Sequence, residues 1–245
     1  MLKVKNVNKS YRQNGLLRRT QHQVLFDMNL EWEKGECLGI IGESGSGKST
    51  LGRLLLGIEK PDNGMISFGG KSVTDRRTRR GAISAVFQDY TSSMNPFYTV
   101  KQVLLEPLSI TGSSLQSEDM GKVLHQVGLD DSYLAKFPHE LSGGEAQRVC
   151  IARAIITEPE CILLDEAISS LDGSVQMQVL ELLKRLRETY AMGYIFITHD
   201  IQAAAYLCDR IMIIRNGRIE EVVATSELKH VQSLYAKELL RKVLA

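Results

Sequence analysis

The chain has 245 residues, 43% of them apolar and 24% charged, enough for a sizeable core in one large domain or one domain with an inserted subdomain. Its 30 Lys and Arg against 29 Asp and Glu leave a net charge of +1, which excludes a general electrostatic pull toward nucleic acid. Cys37, Cys150, Cys161 and Cys208 form no C-x-x-C pair, no apolar run approaches the about 18 residues of a membrane span, and Met1 to Asn6 opens no signal peptide.

A reduced, cytosolic chain that reaches a membrane only through a partner is therefore the expectation. Leu2 to Tyr11 and Val24 to Glu33 alternate apolar and polar residues, the pattern of antiparallel strands with one solvated face. Between them Gln13 to Gln23 is polar and basic and reads as a surface loop. Its Arg18-Arg19, like Arg76-Arg77 with Arg79-Arg80 further on, reads as solvated loop charge. Cys37-Leu38-Gly39-Ile40-Ile41 is continuously apolar, as expected of a strand buried on both faces. A glycine-rich loop follows, and Ser49 to Leu56 then reads as a helix stopped by Gly57.

Met65 to Phe68 and Ile83 to Phe87 are further strand candidates. From Asp89 to Gly143 no buried-strand run appears, and helical patterns such as Val100 to Leu108 and Met120 to Val127 mark an inserted helical subdomain. Strand–helix alternation resumes with Cys161 to Leu164, Ser174 to Tyr190 and Tyr194 to Thr198. In that helix Val175, Val179, Leu182, Leu183 and Leu186 share one face, which should pack on a sheet. Ile211 to Arg215 and Arg218 to Val222 flank Asn216-Gly217, a hairpin signal, and a short helical tail closes the chain.

The glycine-rich loop, Gly42-Glu43-Ser44-Gly45-Ser46-Gly47-Lys48-Ser49, fits G-x-x-x-x-G-K-[ST] in the strand–loop–helix context that a P-loop requires. Its glycines let backbone N–H groups wrap phosphate at a helix N-terminus whose dipole favours anions. Lys48 should reach the β- and γ-phosphates, Ser49 should ligate Mg²⁺, and Thr50 should contact the α-phosphate. Asp165 ends an apolar strand and is followed by a second acid, Glu166; consecutive strand-end side chains cannot point the same way. That divides the work: Asp165 holds Mg²⁺ through water, and Glu166 polarises the attacking water as general base. His199 follows another apolar strand. A lone histidine is usually structural, and a glutamine at a strand end, such as Gln88 after Ile83 to Phe87, is commonplace, so by themselves neither marks a catalytic role. Tyr11 by itself reads as an exposed strand-end tyrosine.

A P-loop followed by Leu141-Ser142-Gly143-Gly144-Glu145 and then by Ile162-Leu163-Leu164-Asp165-Glu166 resembles the ATP-binding cassette (ABC) family of ATPases. The resemblance covers nearly the whole chain. It implies an α/β fold: a P-loop NTPase (RecA-like) core with an N-terminal antiparallel β subdomain and an inserted α-helical subdomain. Residues 1–245 would form a single ATP-binding domain, with 1–88 and 150–245 as the nucleotide-binding core and 89–149 as the helical subdomain carrying the signature. ATP and Mg²⁺ are the implied substrate and metal. Gln88 would be the switch glutamine near Mg²⁺ and the water, His199 the switch histidine on the γ-phosphate, and Tyr11 the aromatic that stacks on adenine. Ser142, Gly143, Gly144 and Glu145 would form a lid on the ATP of a partner subunit. Asp172, in Ser169-Ser170-Leu171-Asp172, matches the loop that links the two sites. Ala167-Ile168 departs from the family's frequent Pro-Thr, at positions that bear no chemical group.

Gln88-Asp89-Tyr90-Thr91-Ser92-Ser93-Met94-Asn95-Pro96 and Phe137-Pro138-His139-Glu140 look like the oligopeptide, dipeptide and nickel importer ATPases. Leu164 to Ser169 looks most like the second ATPase subunit of nickel importers. The implied machine has two membrane-spanning permease subunits, a second homologous ATPase subunit paired as a heterodimer, and an extracytoplasmic solute-binding protein. This chain would sit on the cytoplasmic face of the cell membrane. A dipeptide or oligopeptide importer is the alternative cargo, and a soluble non-transport ABC ATPase is the remote one. The repair type of the latter needs a long coiled coil between Lys48 and Ser142, and the translation type needs two cassettes; the sequence has neither.

Overall fold

The computed structural model describes residues 1–14, 19–89, 93–112 and 117–244. Its contacts divide the chain into two compact units, one of residues 1–79 with 195–245 and one of residues 80–194. This division differs from the 89–149 insertion read from the helical patterns, because strands on both sides of the helices group with them. Tyr90, Thr91 and Ser92 of the Gln88–Pro96 stretch, and Arg18, lie outside the described residues.

The first unit opens with β1 (Leu2–Asn14) and β2 (Arg19–Trp32), paired antiparallel with Leu2 opposite Trp32 and Val4 opposite Leu30. Leu2, Val4, Leu30 and Trp32 are buried, so one face of the ribbon is core, as the alternation predicts. The pairing runs out to Gln13 opposite Thr20 and Asn14 opposite Arg19, which corrects the reading of Gln13 to Gln23 as a loop. Backbone pairing needs no apolar alternation, so a polar ribbon end leaves no such trace in the sequence. β3 (Cys37–Ile41) is buried at every position and leads through the glycine loop into α1 (Lys48–Leu55). Gly57 follows with φ +57, the left-handed stop expected of it.

β4 (Asn63–Phe68) pairs antiparallel with β1, and the short β5 (Lys71–Ser72) completes a sheet of order β2-β1-β4-β5. Trp32 stacks on Phe68 inside it, with centroids 6.2 Å apart. A one-turn helix, α2 (Arg76–Arg79), follows. Here too the sequence reading needs correction: Arg79 is half-buried and donates to the carbonyl oxygen of Leu56, so it is a structural residue and not solvated loop charge.

The second unit contains β6 (Ile83–Phe87), α3 (Val100–Thr111), α4 (Ser117–Gln126), α5 (Gly143–Ile155), β7 (Cys161–Asp165) and α6 (Gly173–Tyr190). Thr99 and Gln102 form a capping box at the start of α3, and Gly112, at φ +76, ends it. β6 and β7 are parallel, from Ile83 opposite Cys161 to Phe87 opposite Asp165. On α6, Val179, Leu182, Leu183 and Leu186 are buried, the face predicted from spacing; Val175 is half-buried.

β8 (Gly193–Thr198) carries the chain back into the first unit, followed by α7 (Ile201–Leu207), β9 (Arg210–Arg215), β10 (Arg218–Ala224) and α8 (Leu234–Leu244). The strand order there is β10-β9-β3-β8, with β3 and β9 parallel and β9 and β10 an antiparallel hairpin. Asn216 (φ 48) and Gly217 (φ 72) make the hairpin turn, both left-handed as a two-residue loop of this type requires. All four cysteines are buried, and none is in a disulfide. Among the described residues no helix is long and apolar enough to cross a membrane.

Candidate nucleotide site

In the first unit the P-loop emerges where Ile41 of β3 lies beside Ile213 of β9, and the loop is gripped from several sides. A Cβ on Gly42 would lie 2.2 Å from the carbonyl oxygen of Ile214, so only glycine fits against that strand. Gly47, at φ +102, packs on β2: a Cβ there would meet Leu25 Cδ2 at 2.7 Å. The Gly217 N–H donates to the Ser46 carbonyl oxygen at 3.0 Å, while the Gly217 carbonyl oxygen accepts from Phe26 N–H at 2.9 Å. The hairpin turn thus ties the P-loop to β2. Within the loop, Ser46 N–H donates to the Glu43 carbonyl oxygen at 3.2 Å.

Lys48 is buried, with its Nζ donating to the carbonyl oxygens of Gly42 at 2.7 Å and Glu43 at 3.0 Å. A compact ammonium on a flexible stem is thereby held over the loop it is expected to serve. The N-cap of α1 is Gly47, which has no side chain to occupy the first-turn N–H groups. Ser46 Oγ is buried and has no hydrogen-bond partner among the described residues. Tyr235 of α8 is also at the loop: its hydroxyl oxygen accepts from Glu43 N–H at 3.2 Å, and Arg215 lies 4.6 Å over its ring.

Tyr11 lies within β1, opposite His22, and not at a strand end as its sequence position suggested. Its hydroxyl donates to Glu59 Oε2 at 2.7 Å and accepts from Arg53 at 3.3 Å, and the same Arg53 nitrogen donates to Thr50 Oγ1 at 3.3 Å. Tyr11 is thus linked to Thr50 through one guanidinium. The hydrogen bond to Tyr11 keeps Arg53 above its ordinary pKa against the opposing pull of burial. Burial pushes Glu59 up, but the hydrogen bonds from Tyr11 and Arg53 outweigh it and leave the carboxylate below its ordinary value. His199 is exposed just after β8, between buried Thr198, whose Oγ1 accepts from Asp200 N–H at 3.0 Å, and Asp200, which caps α7.

In the second unit the parallel register of β6 and β7 decides the geometry. Phe87 opposes Asp165, so Gln88 and Glu166 leave adjacent strands at the same end. Glu166 takes φ 49, a left-handed conformation that costs a non-glycine residue of order 1–3 kcal/mol. Its carbonyl oxygen accepts from both N–H (3.1 Å) and Oγ (2.9 Å) of Ser169, which hold the reversal in place. The chain therefore turns sharply at Glu166, directly after the end of β7.

Ser142 is the N-cap of α5 and forms a capping box with Glu145: Ser142 N–H donates to Glu145 Oε2 at 2.7 Å, and Glu145 N–H donates to Ser142 Oγ at 3.4 Å. A Cβ on Gly144 would meet Val175 Cγ1 at 3.1 Å, so the start of α5 packs on the first turn of α6, whose N-cap is Asp172. The sequence did not disclose Tyr133. Its hydroxyl donates to Glu145 Oε1, and Lys136 Nζ sits 3.6 Å above its ring. The hydrogen bond from Tyr133, then that from the Ser142 backbone, holds the Glu145 carboxyl below its ordinary range. Arg53 and Tyr235 were likewise missed, as was the hold of Gly217 on the glycine loop, since each acts through a long-range contact that no local motif announces.

The family model for ABC transporters matches residues 25–169. The chain is 49% identical to the metal-staphylopine import system ATP-binding protein of Staphylococcus aureus, over 100% of both chains. It is 42% identical to the nickel import ATP-binding protein of Escherichia coli, over 93% of this chain and 88% of that one. A dimeric ATP-binding cassette in a post-hydrolysis state, bound to ADP and Pi, superposes with a TM-score of 0.81 at 30% identity, covering 92% of this chain and 99% of that one. A cassette from Clostridium perfringens, part of an ABC transporter complex, gives a TM-score of 0.78 at 27% identity over 99% and 93%. The chain belongs to the ATP-hydrolysing subunits of the ABC transporter family.

Proposed function

We propose that this chain is the ATPase subunit of an importer for nickel or a related metal or metal chelate. The observation that carries the cargo is the end-to-end 49% identity with a metal-staphylopine import ATPase, supported by 42% identity with a nickel import ATPase. Its partners would be two membrane-spanning permeases, a second ATPase chain in a heterodimer, and an extracytoplasmic solute-binding protein. The chain would then lie on the cytoplasmic face of the membrane.

In this reading Gly42 to Gly47 wrap the ATP phosphates with backbone N–H groups, Lys48 reaches the β- and γ-phosphates, and Thr50 contacts the α-phosphate. Tyr11 stacks on adenine, with its hydroxyl held by Glu59 and Arg53. The Ser49 hydroxyl, the Gln88 amide oxygen and the Asp165 carboxylate are all hard oxygen donors, a set that suits Mg²⁺. Bound there, Mg²⁺ would neutralise charge on the β- and γ-oxygens. Glu166 takes a proton from the attacking water as general base, Gln88 orients that water, and His199 contacts the γ-phosphate. Ser142, Gly143, Gly144 and Glu145 cover the partner subunit's ATP, and Asp172 links the two composite sites. ATP drives transport only if it binds the closed pair better than the open one, since equal affinity would shift nothing.

The test is the nickel and cobalt content of cells lacking this chain, grown in metal-poor medium and complemented with wild type or Glu166→Gln. A deficit rescued by wild type alone supports metal import. No deficit overturns the metal cargo and moves the assignment to peptide import, which leaves the ATPase function standing.

A further inference from the structure

Two side chains grip one peptide unit of the P-loop. The carbonyl of Gly42 and the N–H of Glu43 belong to the same planar group, and no peptide bond among the described residues is cis. In a trans peptide those two groups point to opposite sides. Lys48 Nζ donates to the Gly42 oxygen at 2.7 Å on one side, and the Tyr235 hydroxyl accepts from Glu43 N–H at 3.2 Å on the other. Rotating the plane would break both hydrogen bonds together.

Tyr235 is built to hold its end. It is 5% exposed, and Arg215 lies 4.6 Å over its ring. The start of its helix is anchored independently: the Glu221 carboxylate accepts from Gln232 N–H at 2.9 Å and Ser233 N–H at 3.0 Å, and Ser233 Oγ accepts from Ala236 N–H at 2.9 Å. Glu43 and Tyr235 are 192 positions apart, so this contact is a product of the fold and not of local sequence.

We propose that Tyr235, on the C-terminal helix, is a positioning residue for nucleotide binding: its hydroxyl fixes the plane of the Gly42–Glu43 peptide and thereby the seat of Lys48. The proposal rests on the reading of Lys48 as a phosphate ligand. When Lys48 leaves the Gly42 oxygen for phosphate, the Tyr235 hydroxyl keeps the loop in its phosphate-cradling shape. Without it, that order must be restored on binding, and affinity falls.

The experiment measures the Kd of a ribose-labelled fluorescent ATP analogue with Mg²⁺, and the thermal midpoint, on the full chain as wild type, Tyr235→Phe, Tyr235→Leu and Lys48→Ala. Losing one net hydrogen bond predicts that Tyr235→Phe weakens binding about 2- to 12-fold. The ring and its Arg215 contact remain, so Tm falls by no more than about 6 °C. Tyr235→Leu should show the same affinity loss with a larger drop in Tm, because affinity follows the hydroxyl and not stability. A merely structural Tyr235 would leave Tyr235→Phe binding like wild type, and that result overturns the proposal. If Lys48→Ala weakens binding while Tyr235→Phe does not, the proposal alone falls. If Lys48→Ala binds like wild type, the reading beneath it falls as well.

Discussion

Gly217→Ala is the substitution whose cost the structure defines most closely. Gly217 sits at φ +72, and an added Cβ would lie 2.0 Å from the carbonyl oxygen of Val24 and 3.0 Å from Phe26 Cδ2. Relieving that clash must move the turn, which breaks the hydrogen bonds to Phe26 N–H and to the Ser46 carbonyl oxygen. The left-handed conformation costs a residue with a Cβ about 1–2 kcal/mol, and each lost hydrogen bond about 1 kcal/mol. The sum is about 3–4 kcal/mol, which for a chain of this size lowers Tm by about 6–16 °C. Gly70→Ala is the control: Gly70 has φ +78, but nothing lies within 4 Å of its Cβ position. It should lose only the conformational term, about 1–2 kcal/mol, and keep wild-type ATP affinity. Gly217→Ala should also bind ATP more weakly, because the Ser46 carbonyl loses its tether. Differential scanning calorimetry and nucleotide titration read both effects. A Gly217→Ala protein that melts and binds like Gly70→Ala would refute the claim that the hairpin turn supports the P-loop.

Lys48→Ala should weaken ATP binding itself in equilibrium titration, whereas unchanged affinity would remove Lys48 from the phosphate site. Tyr11→Ala should raise the KM for ATP with little change in kcat through loss of base stacking, and an unaltered KM would leave Tyr11 only its hydrogen bonds to Glu59 and Arg53. The Tyr133–Glu145 bond makes a pH prediction. Glu145 is held below its ordinary 4.5, so its stabilisation is complete above that pH and is lost as pH falls through the lower folded value. Tyr133 is raised above 10.0, chiefly by Glu145, so its share is complete below that pH and is lost as pH rises through the folded value. The Tm difference between wild type and Tyr133→Phe should therefore be widest between these limits and close at both extremes. A difference that stays constant across pH would contradict the pairing.

What the sequence disclosed follows from where the physics is local. β3, the glycine loop and α1 form one contiguous signal: an apolar run, glycines where backbone must approach closely, and a helix ended by Gly57. The Asn216-Gly217 turn and the β6 limits were legible for the same reason. The outer end of the β1–β2 ribbon was not, because its pairing through Gln13 and Asn14 is made by backbone groups and carries no apolar pattern. Nor could spacing show that Arg79 folds back onto Leu56, or that Arg53 joins Tyr11 to Thr50. Among the candidate site residues, the motifs named Lys48, Asp165 and Glu166, whereas Tyr133, Gly217 and Tyr235 reach the loops they support across folds of the chain. Motifs name the groups expected to touch nucleotide; some contacts that support them are local, such as Ser169 to Glu166, and others, such as Tyr235 to Glu43, join distant parts of the chain.

The central claim is that Glu166-dependent ATP hydrolysis by this chain drives an importer. Its most direct test is steady-state ATP hydrolysis by the assembled transporter carrying Glu166→Gln, with ATP affinity measured on the same preparation. The account predicts hydrolysis slowed by roughly 10²–10⁴, the usual contribution of a general base, with ATP affinity retained. Turnover near that of the wild type would contradict it.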